Sequence, residues 1–295
     1  MKRLTIFTPT YNRAYILPKL YESLCRQTCL DFEWLVVNDG STDNTKELVE
    51  GWLAEGKIDI KYLCQANSGK MMAHNLAVKE SQGELFMCID SDDRLCSERV
   101  VEDALNYWDS EIKKLKDSSY ICGFLGYKEI GVKKQHFPEC LHIAHLSELN
   151  EAGFKGELTM VFRRNVLELY PFPYFQGEKF VTDVYVYDQI DQDYKFLLFP
   201  YYMQHCEYQI GGYSSNYMKM LFDNPQGYRA FHNQCIKFKK KGYIKSVICY
   251  VALSIRIGDK YMFRDAADGL LTLLLFPLGV IKYFVDGYKL SHLEK

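Results

Sequence analysis

Paired cysteines are missing from this 295-residue sequence: its ten cysteines are scattered and none forms Cys-x-x-Cys, so the usual zinc-ligand spacing is excluded. Also missing is a Gly-x-x-x-x-Gly-Lys-Ser/Thr loop, and no Gly-x-Gly-x-x-Gly follows the first strand-like run. Phosphate cradles of the P-loop and ordinary dinucleotide-binding kinds are therefore excluded. There is no excess of charge of one sign, with 36 Lys and Arg against 38 Asp and Glu, which gives no general reason to expect a nucleic-acid partner. No Pro/Gly/Ser linker and no internal repeat divides the chain. No signal-like segment precedes residues 4–8, which already read as a strand. The expectation is a cytoplasmic protein with free thiols.

What is present is ordinary globular composition, 48% hydrophobic and 25% charged, at a length that suits one large domain or a domain with an extension. The first hundred residues alternate strand and helix signals. Residues 4–8, 34–37, 58–63 and 85–89 are short apolar runs. Between them lie helix stripes, Leu17/Leu20/Tyr21/Leu24, then Leu48/Val49/Trp52/Leu53, then Met72/Leu76/Ala77. Pro18 suits a first helical turn, where its missing N–H costs nothing. Such alternation implies an α/β fold with a mostly parallel sheet covered by helices, which binds ligands beyond the C-terminal ends of its strands.

Polar clusters follow each of the four runs: Thr8-Pro9-Thr10-Tyr11-Asn12-Arg13, Asn38-Asp39-Gly40-Ser41, Asn67-Ser68-Gly69-Lys70 and Asp90-Ser91-Asp92-Asp93. All four land on one sheet edge. The last places two carboxylates, Asp90 and Asp92, one residue apart at a strand end. Each disfavours the other's ionised form unless a cation or hydrogen-bond donors compensate. Oxygen ligands of this kind suit Mg²⁺ or Mn²⁺. The alternative is an acidic turn capping the next helix.

In order and spacing these clusters resemble the signature of family 2 glycosyltransferases of GT-A (Rossmann-like) fold, closely over the first hundred residues. The resemblance implies an inverting enzyme that moves a sugar from a nucleotide diphosphate, commonly UDP, to an acceptor hydroxyl. It further implies that Thr8, Pro9, Tyr11 and Asp39 line the nucleobase pocket and that Asn67 belongs to the donor site. Asp90 and Ser91 should lie near the ribose and donor sugar, while Asp92, with Asp90 as a second candidate, ligates Mn²⁺ or Mg²⁺. Lys70 either adds positive charge to the phosphates or is a solvated lysine at a helix start. Ala73-His74-Asn75 departs from the family's usual Ala-Arg-Asn, which leaves His74 a packing role. The acceptor base matches Asp183 best, in Thr182-Asp183 where the family has Glu-Asp, and Glu178 is its rival. Saccharide or lipid-linked acceptors, in surface polysaccharide or lipid-linked oligosaccharide synthesis, are the expected partners.

Two other classes compete, a phosphohydrolase built on Asp90 and Asp92 and a non-catalytic carbohydrate-binding protein. The expected division is a catalytic domain over 1–215, with a nucleotide-sugar half (1–100) and an acceptor half (101–215), then a C-terminal helical extension over 216–295. Within the acceptor half, Gly211-Gly212-Tyr213-Ser214 reads as a loop, and Tyr201, Tyr202 and Tyr208 as packing residues. In the extension, Lys237, Lys239, Lys240, Lys241 and Lys245 read first as a solvated face and second as a contact for an anionic membrane surface. The apolar run 270–276, interrupted by Pro277, Gly279 and Lys282, reads as too short to span a bilayer. Its expected use is either a peripheral contact with the inner face of the cell membrane, made with the nearby lysines, or packing as a helix on the catalytic domain.

Overall fold

Four parallel strands form one half of the sheet: β1 (Leu4–Thr10), β2 (Phe32–Asn38), β3 (Ile60–Cys64) and β4 (Leu85–Cys88), in the spatial order β3-β2-β1-β4. The computed structural model describes residues 2–131, 136–206 and 213–293. Tyr208 and the Gly211-Gly212 part of the expected loop lie outside them. Three helices connect the parallel strands, α1 (Leu17–Cys25), α2 (Thr45–Glu55) and α3 (Lys70–Glu80). Strand β5 (Arg94–Leu95) and helix α4 (Val100–Lys114) follow, then β6 (Ile121–Glu129), β7 (Ile143–Ala144), α5 (Leu146–Glu151), β8 (Leu158–Arg163) and α6 (Arg164–Leu169). Helix α7 (Val184–Asp193) leads into β9 (Lys195–His205). The full sheet runs β3-β2-β1-β4-β8-β6-β9-β5, with β7 paired to β9. Strand β8 is antiparallel to both neighbours, and β6 and β9 return to the direction of β1–β4. Six of nine strands therefore point the same way, as the alternating sequence predicts.

The stripe on α1 is buried as expected, with Leu17, Leu20, Tyr21 and Leu24 in the core. Tyr21 stacks on Trp52 of α2 at 4.3 Å and on Trp34 of β2 at 5.9 Å, so one aromatic cluster joins two helices to the sheet. Two expected faces are shifted. On α2, Val49 and Trp52 are buried but Leu53 is exposed. On α3 the buried side is Met71, Ala73, His74, Ala77 and Val78, and Met72 and Leu76 are only half-buried. His74 lies on that buried side, its ring edge-on to Phe7, Phe86 and Phe172.

Two compact units divide the chain, residues 1–172 with 186–212 and residues 173–185 with 213–295. The second therefore takes in a segment expected to belong to the catalytic domain. Asn224 explains why: its Oδ1 accepts from the amides of Lys179 (2.8 Å) and Phe180 (3.1 Å). The rest of this unit is α8 (Tyr213–Asp223), α9 (Pro225–Lys237), α10 (Tyr243–Arg256), α11 (Met262–Asp265) and α12 (Gly269–Leu293). Tyr213 and Ser214, expected in a loop, open α8. Arg229 of α9 holds the turn after α10, donating to Ser254 Oγ at 2.7 Å and Tyr250 Oη at 2.8 Å and pairing with Asp259. The expected interruption at Pro277 does not occur. Helix α12 runs through it for 25 residues, and Gly269–Tyr288 is long and apolar enough to cross a membrane by length and composition alone.

Candidate active site

The tips of β1 and β2 are joined through short polar side chains. Asn12, at φ 54°, donates its amide to Ser41 Oγ at 2.9 Å, and its Oδ1 accepts from the Thr42 amide at 2.7 Å. Asp43 accepts from the amides of Ala14 (3.0 Å) and Thr45 (3.1 Å) and from the Thr45 hydroxyl (2.5 Å). Burial pushes the Asp43 carboxyl up, but these hydrogen bonds outweigh it and hold it below the usual carboxylate range.

Asp39 is the hub of the next loop. One of its oxygens accepts from Gln65 Nε2 (2.7 Å) and the Ser68 amide (2.8 Å), and the other from the Gly69 amide (2.9 Å). Asn67 Nδ2 donates to the Asp39 carbonyl at 2.9 Å. The carboxylate therefore fixes the start of α3 and keeps one acceptor position for a further donor, since two carboxylate oxygens offer about four. Gly40 sits at φ 78°, and a Cβ there would stand 2.9 Å from the Asn67 nitrogen, so close approach of the two loops requires glycine.

At the end of β4, Asp90, Asp92 and Asp93 gather with two lysines. Lys70 Nζ donates to Asp90 Oδ1 at 2.5 Å, and Lys128 Nζ lies 3.4 Å from Asp93 Oδ2. Cys206 Sγ donates to the same Asp93 oxygen at 3.2 Å. Burial raises the Asp90 carboxyl, but the charges of Lys70 and Lys128 outweigh it and leave the group below its ordinary value. Asp92 goes the other way: burial first, and the Asp90 charge second, raise it. Asp93 is raised to about 6 by burial, an effect that Lys128 opposes and Asp90 reinforces. Burial works against the Lys128 ammonium, but Asp90 and Asp93 push its pKa above the ordinary lysine value.

Among the described residues no group of three or more His, Cys, Asp or Glu is placed to hold a metal by itself. Mg²⁺ and Mn²⁺ bound with a nucleotide commonly take one or two carboxylates plus phosphate oxygens and waters. Asp92, half-buried and raised by that burial first and by the like charge of Asp90 second, is the carboxylate an added cation would relieve, so the donor set fits such an ion.

Other expected site residues fall in different places. Thr8 is fully buried, and its hydroxyl accepts from Trp34 Nε1 at 3.0 Å, which puts that side chain in the core. Pro9 is half-buried, Tyr11 is exposed, and Ser91 is buried beside the acidic cluster. Thr10 has a buried hydroxyl with no hydrogen-bond partner among the described residues, next to the 2.9 Å bond from the Asp39 amide to its carbonyl. His74 packs, as expected from its departure from the family pattern. Lys128 and Asp93 were not singled out; the one signal was a lysine near the end of the otherwise apolar β6.

In the second unit, Asp183 is exposed at the start of α7 and accepts from the Val184 amide at 2.9 Å. Glu178 is held differently. Its Oε1 accepts from the Gln226 amide at 2.7 Å and its Oε2 from the Gly227 amide at 2.8 Å, so it caps the first turn of α9.

Comparison with known proteins agrees with this architecture. The chain is 32% identical over 106 residues to the poly(ribitol-phosphate) beta-N-acetylglucosaminyltransferase TarS of Staphylococcus aureus, an alignment covering 35% of this chain and 18% of that protein. The alignments to this and other curated relatives cover between 14% and 41% of the relatives' own lengths. The structure of S. aureus TarS 1-349 with UDP-GlcNAc superposes with a TM-score of 0.59 at 17% identity, covering 93% of this chain and 90% of that one. A mannosyltransferase from Pyrobaculum calidifontis, solved with GDP-Man and Mn²⁺, superposes at 0.50 and 19% identity over 95% and 73% of the two chains. Likenesses at this identity show the GT-A-like fold. Residues 5–167, more than half of the chain, match the model of Glycosyl transferase family 2, and to that family of glycosyltransferases the chain belongs.

Proposed function

We propose that the chain transfers a sugar from a nucleotide diphosphate, a UDP-sugar in the first instance, to an acceptor hydroxyl with inversion at the anomeric carbon. The observation that carries this reading is the acidic cluster at the end of β4, with Lys70 and Lys128 on it and the Asp39 hub on the same sheet edge. That edge is where α/β sheets bind ligands. In this reading Asp39, with Tyr11 and Pro9 beside it, receives the base, and a carboxylate oxygen accepts a base N–H. Asn67 shapes that pocket through its bond to the Asp39 carbonyl. Ser91 and Asp90 lie toward the ribose and sugar, and Lys70 offers its ammonium to the diphosphate. A bound Mn²⁺ or Mg²⁺ would neutralise charge developing on the leaving nucleotide, and Asp92, with Asp90 beside it, would hold it. Asp183 is the proposed base for the acceptor hydroxyl, supported by its exposed carboxylate, whereas both oxygens of Glu178 are engaged by amides of α9.

TarS, which carries UDP-GlcNAc in its structure and poly(ribitol-phosphate) in its name, supports a UDP-sugar donor and a polymeric acceptor; saccharide and lipid-linked acceptors belong to the proposal on the family resemblance alone. A phosphohydrolase would need a nucleophilic carboxylate free to attack, whereas Asp90 is engaged by Lys70. The test is donor hydrolysis and transfer across UDP-, GDP- and CDP-sugars with and without Mn²⁺. Metal-stimulated turnover of one nucleotide class supports the reading, and release of phosphate from simple monoesters instead would overturn it.

A further inference from the structure

Helix α12 carries its polarity inside out. Its stretch Gly269–Tyr288 has two charged residues, Lys282 and Asp286, and both turn to the same side as Gly279, whose Cα faces Val251 of α10. Lys282 Nζ donates to both Asp286 oxygens at 2.9 Å, and the two side chains are only 30% and 13% exposed. On the packed side Thr272 is fully buried, and Leu271, Leu275 and Phe276 pack against the cluster of Ile236, Val247, Tyr250 and Val251. The outward side is the apolar one. Leu270, Leu273, Leu274, Leu278, Ile281 and Phe284 are 47–71% exposed and fall within an arc of about 140° on a helical projection. A helix packed on a soluble core has the opposite pattern, apolar residues inward and charge outward.

Charge identifies the occupant of this face. The unit formed by 173–185 and 213–295 has 14 Lys and Arg against 8 Asp and Glu, a net of +6 in a chain whose total is −2. Five of these lysines, Lys237, Lys239, Lys240, Lys241 and Lys245, lie around the turn between α9 and α10. An apolar strip on a basic body is complementary to an anionic bilayer, with acyl chains for the leucines and headgroups for the lysines. A protein interface of this extent would carry hydrogen bonds and a polar rim; these six side chains offer no hydrogen-bonding group, and Tyr288, exposed at the end of the strip, has the amphipathic ring that suits the headgroup boundary. The strip from 270 to 288 is roughly 27 Å long. Crossing is disfavoured by the packing, because α12 lies along α10 and its Lys282–Asp286 pair would have to enter hydrocarbon.

We infer that α12 is an in-plane membrane anchor, its outer face set in the boundary between headgroups and acyl chains of an anionic bilayer. The experiment is vesicle co-sedimentation of the full chain. Phosphatidylglycerol/phosphatidylcholine vesicles should pellet it, and phosphatidylcholine alone should bind at least tenfold more weakly, since basic residues near an anionic surface add to the binding. The double variant Leu274→Glu/Ile281→Glu should lose at least tenfold in vesicle binding. Its melting temperature should be unchanged, because both side chains are exposed. Leu274→Gln, a smaller change, should lose binding in the same direction and covers the case in which the double variant is poorly folded. Lys237→Glu/Lys241→Glu should weaken only the anionic vesicles. Failure to pellet with either vesicle, or full binding by the α12 variants, overturns the inference. A concentration-dependent dimer abolished by Leu274→Glu without vesicles would assign the face to a second copy and overturn it as well. Resistance to alkaline carbonate extraction would overturn the in-plane arrangement in favour of a spanning helix.

Discussion

Lys70 Nζ stands 2.5 Å from Asp90 Oδ1, joining the first residue of α3 to the tip of β4. The pair spans two of the four polar clusters and neutralises one carboxylate of the cluster before any ligand arrives. Both side chains remain about a third exposed, so the pair contributes little to folding. Under the proposed function its larger consequence is for binding, because a donor diphosphate would compete with Asp90 for the same ammonium.

Lys70→Met should therefore weaken UDP binding about tenfold, equivalent to about 1.4 kcal/mol, while shifting the melting temperature little. Isothermal calorimetry with UDP measures it. Unchanged affinity would mean that Lys70 serves Asp90 alone, as a structural pair.

Asp92→Asn is nearly isosteric and removes the charge proposed to hold the metal. Turnover should be nearly abolished in a protein that remains folded. Chelation with EDTA should reproduce the loss in the unmodified chain, with Mn²⁺ or Mg²⁺ restoring it. Full activity in the variant, or indifference to EDTA, would remove the metal role from Asp92.

His74 gives a pH prediction. Burial first, and the Lys70 charge second, push its pKa down to about 3 from an ordinary 6.5. Between those values the unfolded chain binds a proton that the folded chain does not, so stability rises with pH in that window and is complete above 6.5. Going from pH 7 to pH 5 should cost roughly 2 kcal/mol through this one group. Urea denaturation followed by tryptophan fluorescence reports the relevant unit, since Trp34, Trp52 and Trp108 all lie in it. In His74→Phe this part of the acid sensitivity should vanish. An identical pH slope in the two proteins would show that another group carries it.

How much of this was legible in the sequence depends on the range of each interaction. The parallel strands and their polar tips could be read because apolar runs ended by Pro9, Asp39-Gly40 and Asp90 are local signals. The departure at His74 correctly implied packing. Lys128 could not be read, because it reaches the acidic cluster only through the position of β6 two strands from β4. Thr8 reads as a pocket residue, yet the pleat of β1 turns it onto Trp34. Pro277 reads as an interruption, but α12 tolerates it because packing against α10 sustains the helix on either side. Glu178 is a similar case, since its partners on α9 lie almost fifty residues downstream.

That last contact separates the two candidate bases. Glu178 accepts two backbone amides, and removing both acceptors by Glu178→Ala leaves them without partners, at a cost of about 2 kcal/mol in stability. Glu178→Gln keeps one acceptor oxygen and should be milder, with turnover per folded molecule maintained. Among the described residues Asp183 has no comparable tie, only the 2.9 Å bond from the Val184 amide at its own helix start. Asp183→Asn should leave UDP affinity and the melting temperature near the unmodified values. Transfer should fall about 10²-fold or more, the usual scale of general-base catalysis. The measurement is a set of three purified variants, each assayed by thermal melting, UDP calorimetry and transfer to a competent acceptor. If Glu178→Gln is folded but inactive while Asp183→Asn turns over normally, the two roles are exchanged. If both retain full activity, the proton leaves by another route and neither carboxylate is the base.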